Sequence, residues 1–349
     1  RPMKPTHPNS NAPAGNPATN ARRPCTSASM NRRAFAAGVG ASVAGSMLGA
    51  CSPAAPRALP GEPPRLSYAD SVRAIRAVIA HDAADTTLIH DALPRLYEHG
   101  GPVENAIILF HGFTNCPQQF DVLARQFYAR GCNVYVPRIP RHGQSDRLTT
   151  TLADLTIEEL GKSTLDAFAY ARGLGRRVSS VGLSLGGSMS LWLAQAMPID
   201  LAVAVSPFLM PIGIPRGVGT VAMHTLYTIP SMYWWWDPRV KQNCLPTYAY
   251  PGYPTHGLAE VTFFGDRLFA YSGGKPLGKA CILVTNANES AVNNSVSRDL
   301  LAQWKSSGAD VSEIVLSGLG PPRHDIIDPT TFPQGVHLVY PRLMDMVLG

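Results

Sequence analysis

Three scarcities in this 349-residue chain each narrow what it can do. The first 50 residues hold no acidic side chain, while six basic ones fall there: Arg1, Lys4, Arg22, Arg23, Arg32 and Arg33. Without those six, 24 basic residues face 24 acidic ones, so the formal charge of +6 belongs to the leader. The remainder is neutral and offers no electrostatic footprint for nucleic acid. Cysteine is sparse, with six residues and no Cys-x-x-Cys spacing, which argues against a metal site. Setting aside Cys25 and Cys51 leaves Cys116, Cys132, Cys244 and Cys281, for which disulfides and buried free thiols are equal alternatives. The apolar run before Cys51 is rich in Gly and shorter than the roughly 20 residues that a membrane span requires.

What the leader does contain reads in three parts. Residues 1–29, rich in Pro, Asn, Ala and Thr, have little to bury and are expected to be disordered, with Met30 as the native start. Residues 30–50 combine a short basic segment with a Gly/Ala-rich apolar run, the layout of an export signal. Its Arg32-Arg33-x-Phe35 resembles a twin-arginine signal. Its Leu48-Gly49-Ala50-Cys51 end resembles a bacterial lipobox, in which Cys51 is lipidated and becomes the first mature residue. A plain cleaved signal and a transmembrane helix are the alternatives. Residues 51–66 are Pro/Ala-rich and read as a tether. The expected location is the periplasm or cell envelope, with membrane attachment through Cys51.

Residues 67–349 read as one domain. The segment Ala106-Ile107-Ile108-Leu109-Phe110 is a continuous apolar run, the pattern of a strand buried on both faces of a parallel sheet. Further strands are expected at 93–97, 133–136, 176–183, 201–205, 280–284 and 311–316. Helices are expected at 68–80, 117–130, 157–174, 185–197, 296–305 and 336–348. This alternation predicts an α/β fold with a doubly wound, mostly parallel sheet. It breaks at about 207–279, where Pro, Gly and aromatic residues replace periodic runs, and that stretch reads as an irregular inserted cap. Within it Tyr233-Trp234-Trp235-Trp236 is the strongest feature. Three consecutive Trp side chains cannot all point one way, so Trp234, Trp235 and Trp236 are candidates for lining a substrate cavity.

Gly182-Leu183-Ser184-Leu185-Gly186 joins a β-branched run to an apolar helix, the strand–turn–helix context of a G-x-S-x-G nucleophile elbow. With it stand His111-Gly112-Phe113, Arg141-His142-Gly143-Gln144-Ser145, Glu289-Ser290-Ala291-Val292 and His324-Asp325, each at the carboxyl end of an expected strand. Taken together and in this order, they resemble the α/β-hydrolase fold, and more narrowly its capped serine esterase and lipase branch, over roughly 88–349. The resemblance implies a serine hydrolase acting on small-molecule carboxylic esters, with no cofactor and no metal.

A Ser hydroxyl is a poor nucleophile near neutral pH and needs a base to take its proton. Ser184 is the candidate nucleophile and His324 the base; Glu289 is the acid that fixes the imidazole tautomer. The order Ser184, Glu289, His324 matches the fold's order. Asp is commoner than Glu in the third role, and Asp299 and Asp266 are the runners-up. The N–H groups of Phe113 and Leu185 are the expected oxyanion donors. His111 reads as structural, His142 and Ser145 as shaping a loop, Asp325 as stabilising the His324 loop, and Asp237 as a turn or cap residue. The apolar cap points to acyl or aromatic esters. A thioesterase, peptidase or acyltransferase would use the same triad, and a non-catalytic tethered binding protein is the reading from another class.

Overall fold

The computed structural model describes residues 60–270 and 275–349, together with a two-residue strand at Arg23–Pro24 that pairs in parallel with Cys244–Leu245. The export signal, Cys51 and most of the tether lie outside the described residues. Among the described residues, no helix is long and apolar enough to cross a membrane.

The central sheet has seven strands: β1 (Arg95–Tyr97), β2 (Val103–Phe110), β3 (Asn133–Val136), β4 (Gly175–Leu183), β5 (Leu201–Val205), β8 (Cys281–Asn286) and β9 (Val311–Leu316). A small antiparallel pair lies between β5 and β8 in the chain: β6 (Tyr233–Trp235) and β7 (Gly252–Pro254). The sheet order is β9-β8-β5-β4-β2-β3-β1, parallel throughout except for β1 against β3. The chain runs outward from β2 to β3, then returns to the other side of β2 as β4. That reversal opens a crevice at the carboxyl ends of β2 and β4, where open α/β sheets bind ligands.

Side-chain alternation builds the two core layers. In β2, Ala106, Ile108 and Phe110 enter one layer and Ile107 and Leu109 the other. In β5, Ala202 and Ala204 face the first layer while Leu201, Val203 and Val205 face the second. The alanines let a helix approach closely, and α4 (Leu185–Ala196) is buried along its whole length. The first layer also holds α1 (Tyr68–Ala84), α3 (Ile157–Leu174) and α7 (Asn294–Ser306). The second holds α2 (Asp121–Ala129) and α8 (Val336–Leu348). A capping box starts α3: the Thr156 hydroxyl accepts from the Glu159 N–H, and the Glu159 carboxylate accepts from the Thr156 N–H, both at 3.1 Å.

The stretch 207–279 is more regular than expected. It contains α5 (Arg216–Tyr227) and α6 (Thr255–Ala270) besides the β6–β7 pair. Helix α6 has two Gly and two Thr, a composition that hides a helix from propensity reasoning. Tertiary packing overrides that. Ten of its 16 residues are buried, and a Cβ at Gly257 would lie 2.4 Å from the Leu152 carbonyl oxygen. Glu260 on this helix accepts the Ile157 N–H at 3.1 Å, capping α3 from the side. The helix is part of the core.

Among the described cysteines, Cys116, Cys132 and Cys281 are free and buried, and Cys244 is disulfide-bonded.

Candidate active site

Ser184 links β4 to α4 in a single residue with φ 59° and ψ −116°. A non-Gly residue in this region costs on the order of 1–3 kcal/mol and persists only where its surroundings dictate it. Here they do. The Ser184 N–H donates to the Val205 carbonyl, and its own carbonyl accepts from the N–H groups of Ser188 and Phe208, all at 3.0 Å. The turn is also too tight for side chains on either flank. A Cβ at Gly182 would lie 2.0 Å from the Gly186 carbonyl oxygen, and one at Gly186 would lie 2.0 Å from that of Phe110. These contacts explain the two glycines of the motif.

The loop after β2 runs beside this turn: a Cβ at Gly112 would be 3.6 Å from Ser184 Cβ. His111 shapes the loop. Its Nε2 accepts the Ile139 N–H at 3.0 Å, so the proton is on Nδ1, which donates to the Gly112 carbonyl at 3.0 Å. Burial pushes its pKa well below the ordinary histidine value, so the ring is neutral. Phe113 follows this turn and Leu185 opens α4. Neither N–H has an acceptor among the described residues, as two donors reserved for an oxyanion require.

Glu289 and His324 come from the loops after β8 and β9. The His324 Nδ1 donates to Glu289 Oε1 at 2.8 Å, which fixes the tautomer with Nε2 unprotonated in the neutral ring. The same oxygen accepts from the N–H groups of Ser290 and Ala291 at 2.8 Å. The Glu289 and His324 side chains are only 4% and 16% exposed. Burial disfavours both charges, but the mutual attraction wins: Glu289 is held below, and His324 above, its ordinary pKa. Asp325 adds to the rise at His324.

Ser184 and His324 line one cavity of about 110 Å³ at the sheet's carboxyl edge. No hydrogen bond joins them among the described residues; such bonds are often long until substrate is bound. Phe113, Phe208, Trp236, Leu245, Pro246 and Ala249 form most of the apolar wall, with Asn115, Gln119, Arg147 and Thr331 as polar points.

A model of the alpha/beta hydrolase family matches residues 107–336, well over half of the chain. The chain belongs to that family. Over 104 residues it is 31% identical to the thermostable monoacylglycerol lipase of Bacillus sp. (strain H-257), a match covering 29% of this chain and 39% of that one. Over 97 residues it is 31% identical to the carboxylesterase of Bacillus subtilis (strain 168), covering 28% and 38%. The match therefore spans about two fifths of the length of these curated relatives. Among solved structures, the monoacylglycerol lipase of Paleococcus ferrophilus superposes with a TM-score of 0.56 at 19% identity, covering 73% of this chain and 97% of that one. At that identity the likeness shows the fold.

In this alpha/beta hydrolase, two sequence candidates lie apart from the cavity. Strand alternation sends the Trp run to different faces. Trp235 turns to Tyr233, with ring centroids 5.2 Å apart, and Trp234 packs on Tyr253 at 6.5 Å. Of the three, only Trp236 lines the cavity, donating from Nε1 to Thr114 Oγ1 at 2.9 Å. The runner-up acids are elsewhere: Asp299 is exposed on α7, and Asp266 pairs with Arg216 at 2.6 Å. Asp325 uses Oδ1 to accept the N–H groups of Ile327 and Asp328, which orders the His324 loop. Asp237 accepts from the Arg239 N–H in a turn. His142 is buried with its pKa pushed down to about 4 by that burial, and the Ser145 N–H bonds the Thr87 carbonyl. Among the cavity residues, sequence reasoning counted Phe208 in the apolar cap and missed Tyr250 and Gln119. The signal for Phe208 was its place just past β5, after Ser206 and Pro207, at the start of the stretch read as a cap.

Proposed function

We propose that this chain is a serine hydrolase that cleaves carboxylic esters, with acyl or aromatic groups, through an acyl-enzyme. The reading rests on one observation: a buried carboxylate–imidazole pair opens onto the same cavity as a serine in a strained strand–helix turn. In this scheme His324 Nε2 takes the Ser184 proton as Oγ attacks the ester carbonyl. The N–H groups of Phe113 and Leu185 receive the oxyanion, and His324 returns the proton to the leaving alkoxide. Water then repeats the attack on the acyl-enzyme. The aromatic and aliphatic walls favour an uncharged acyl or aryl group over an ionic one. Both curated relatives carry the name of an esterase or lipase.

Fluorophosphonate labelling followed by peptide mapping tests this. The adduct is expected on Ser184, and its absence from a folded chain sinks the reading. A chain-length series of p-nitrophenyl esters, set against aminoacyl amides and thioesters, then ranks the substrates.

The leader extends the proposal to an exported, lipid-anchored enzyme. Lipidation would place the acyl groups on Cys51 Sγ, and cleavage before Cys51 would make it the first residue of the mature chain. Mass spectrometry of the membrane-extracted protein should find an amino-terminal peptide that starts at lipidated Cys51; an unmodified Cys51 speaks against lipidation there.

A further inference from the structure

The turn that carries Phe113 and the loop that carries His324 are separate pieces of chain, and one side chain joins them. Gln119 lies in the 3-10 turn Pro117–Phe120 that leads into α2, and it is 2% exposed. Its Oε1 accepts the Gly112 N–H at 2.8 Å, and its Nε2 donates to Asp325 Oδ2 at 2.8 Å. Both assignments are forced, because an N–H only donates and a carboxylate only accepts. Gly112 immediately precedes Phe113, and Asp325 immediately follows His324. The other oxygen of Asp325 takes the N–H groups of Ile327 and Asp328, each at 3.0 Å, so the carboxylate is already fixed to its own loop. Few side chains offer an acceptor and a donor on adjacent ends of one rigid plane, as this amide does.

We propose that Gln119 is a positioning residue that holds the Phe113 N–H and the His324 imidazole at a fixed separation across the cavity. The proposal rests on the hydrolase reading. Gln119 touches neither of those two groups and acts through their neighbours, Gly112 and Asp325. A catalytic constellation loosened by a fraction of an ångström loses rate in the chemical step more than in binding. Loss of the bridge is therefore expected in kcat and in the rate of phosphonylation, with KM little changed.

The test compares the full chain with Gln119→Leu and Gln119→Glu. Fluorophosphonate labelling rates and p-nitrophenyl ester kinetics are followed from about pH 5 to about pH 9. Gln119→Leu removes both bonds. It should lose about tenfold or more in kcat and labelling rate, short of the roughly hundredfold cost of deleting an oxyanion donor outright. Its KM should stay within about threefold and its far-UV spectrum should not change. Gln119→Glu supplies the distinguishing readout. Ionised, it places a carboxylate against Asp325; protonated, it copies the amide, accepting from Gly112 with one oxygen and donating to Asp325 with the other. Other titratable or charged groups near this position are Asp328 and His324 on the same loop, Tyr248 bonded to Asp328, the neutral His111 across the turn, and the Arg95–Asp121 ion pair, whose arginine also bonds Gln118. The ratio of Gln119→Glu to wild-type activity should therefore climb as pH falls, because wild type controls for the titration of His324. Variants that match wild type at every pH overturn the bridge. If Gln119→Leu does not fold, a flat ratio for Gln119→Glu overturns it alone. A wild-type chain that stays unlabelled overturns the hydrolase reading and the bridge with it, whereas a labelled wild type with indifferent variants overturns the bridge only.

Discussion

Replacing Glu289 by Gln keeps the shape of the side chain and removes one charge. The amide oxygen can still meet the Ser290 and Ala291 N–H groups and His324 Nδ1, so the loop should keep its form. In the proposed mechanism, what disappears is the attraction between the carboxylate and the imidazolium that forms as Ser184 is deprotonated. With 2.8 Å between the bonded atoms, the charge centres are roughly 4 Å apart, and at an effective dielectric near 20 that attraction is about 4 kcal/mol. If it is fully expressed in the transition state, kcat falls by about a thousandfold. The pH profile moves as well. Burial alone depresses the His324 pKa, and Glu289, aided by Asp325, reverses that in the native chain. Removing Glu289 lets burial prevail, so the acid limb of kcat/KM should shift to lower pH, because the base must be neutral to act. Steady-state kinetics on a p-nitrophenyl ester, read per fluorophosphonate-titrated site, measures both effects. A loss under about tenfold with an unmoved acid limb would refute the assignment of Glu289.

Three further outcomes follow from the same geometry. Gly186→Ala drives a methyl to 2.0 Å from the Phe110 carbonyl oxygen, which belongs to a central strand; a cost of about 3 kcal/mol or more, and a melting temperature lower by at least about 6 °C, should appear in a thermal melt. Asp328 is fully buried, and burial with the nearby Asp325 charge raises its pKa to about 7, so the stability it contributes when protonated is complete below its unfolded value and fades as pH rises through about 7. Asp328→Asn keeps partners for the Thr330 N–H and the Tyr248 hydroxyl, so melts should show it gaining on wild type at pH 8 relative to pH 5. Trp236→Leu removes an aromatic face from the cavity wall, and an aromatic pair is worth about 1 kcal/mol, so KM for aryl esters should rise about fivefold while alkyl esters respond less.

The sheet was legible because its strands are short apolar runs with helical periods between them. Elements such as Leu201–Val205, Ile157–Leu174 and Val311–Leu316 have the bounds that the pattern predicts. The candidate triad positions were legible for a local reason: each follows a strand end, where the chain must turn and expose a side chain. Helix α6 was not, because its fold is dictated by neighbours such as Leu152 and Ile157 rather than by its own residues. The Trp run misled by number: Trp235 turns to Tyr233, Trp234 and Trp236 both pack on Tyr253, and of the three only Trp236, just past β6, lines the cavity. Gln119 was invisible because its partner Asp325 is 206 positions away, a distance over which no local pattern reports.

Helix α6 has a mechanical consequence. A rod seated backbone to backbone against Leu152, and tied by Glu260 to the first turn of a neighbouring helix, cannot swing out as a hinged flap without tearing the interior open. None of the cavity's lining residues comes from this helix; on the cap side the wall includes Trp236, Leu245, Pro246, Ala249 and Tyr250, so any widening of the cavity there falls to loop chain and leaves the rod in place.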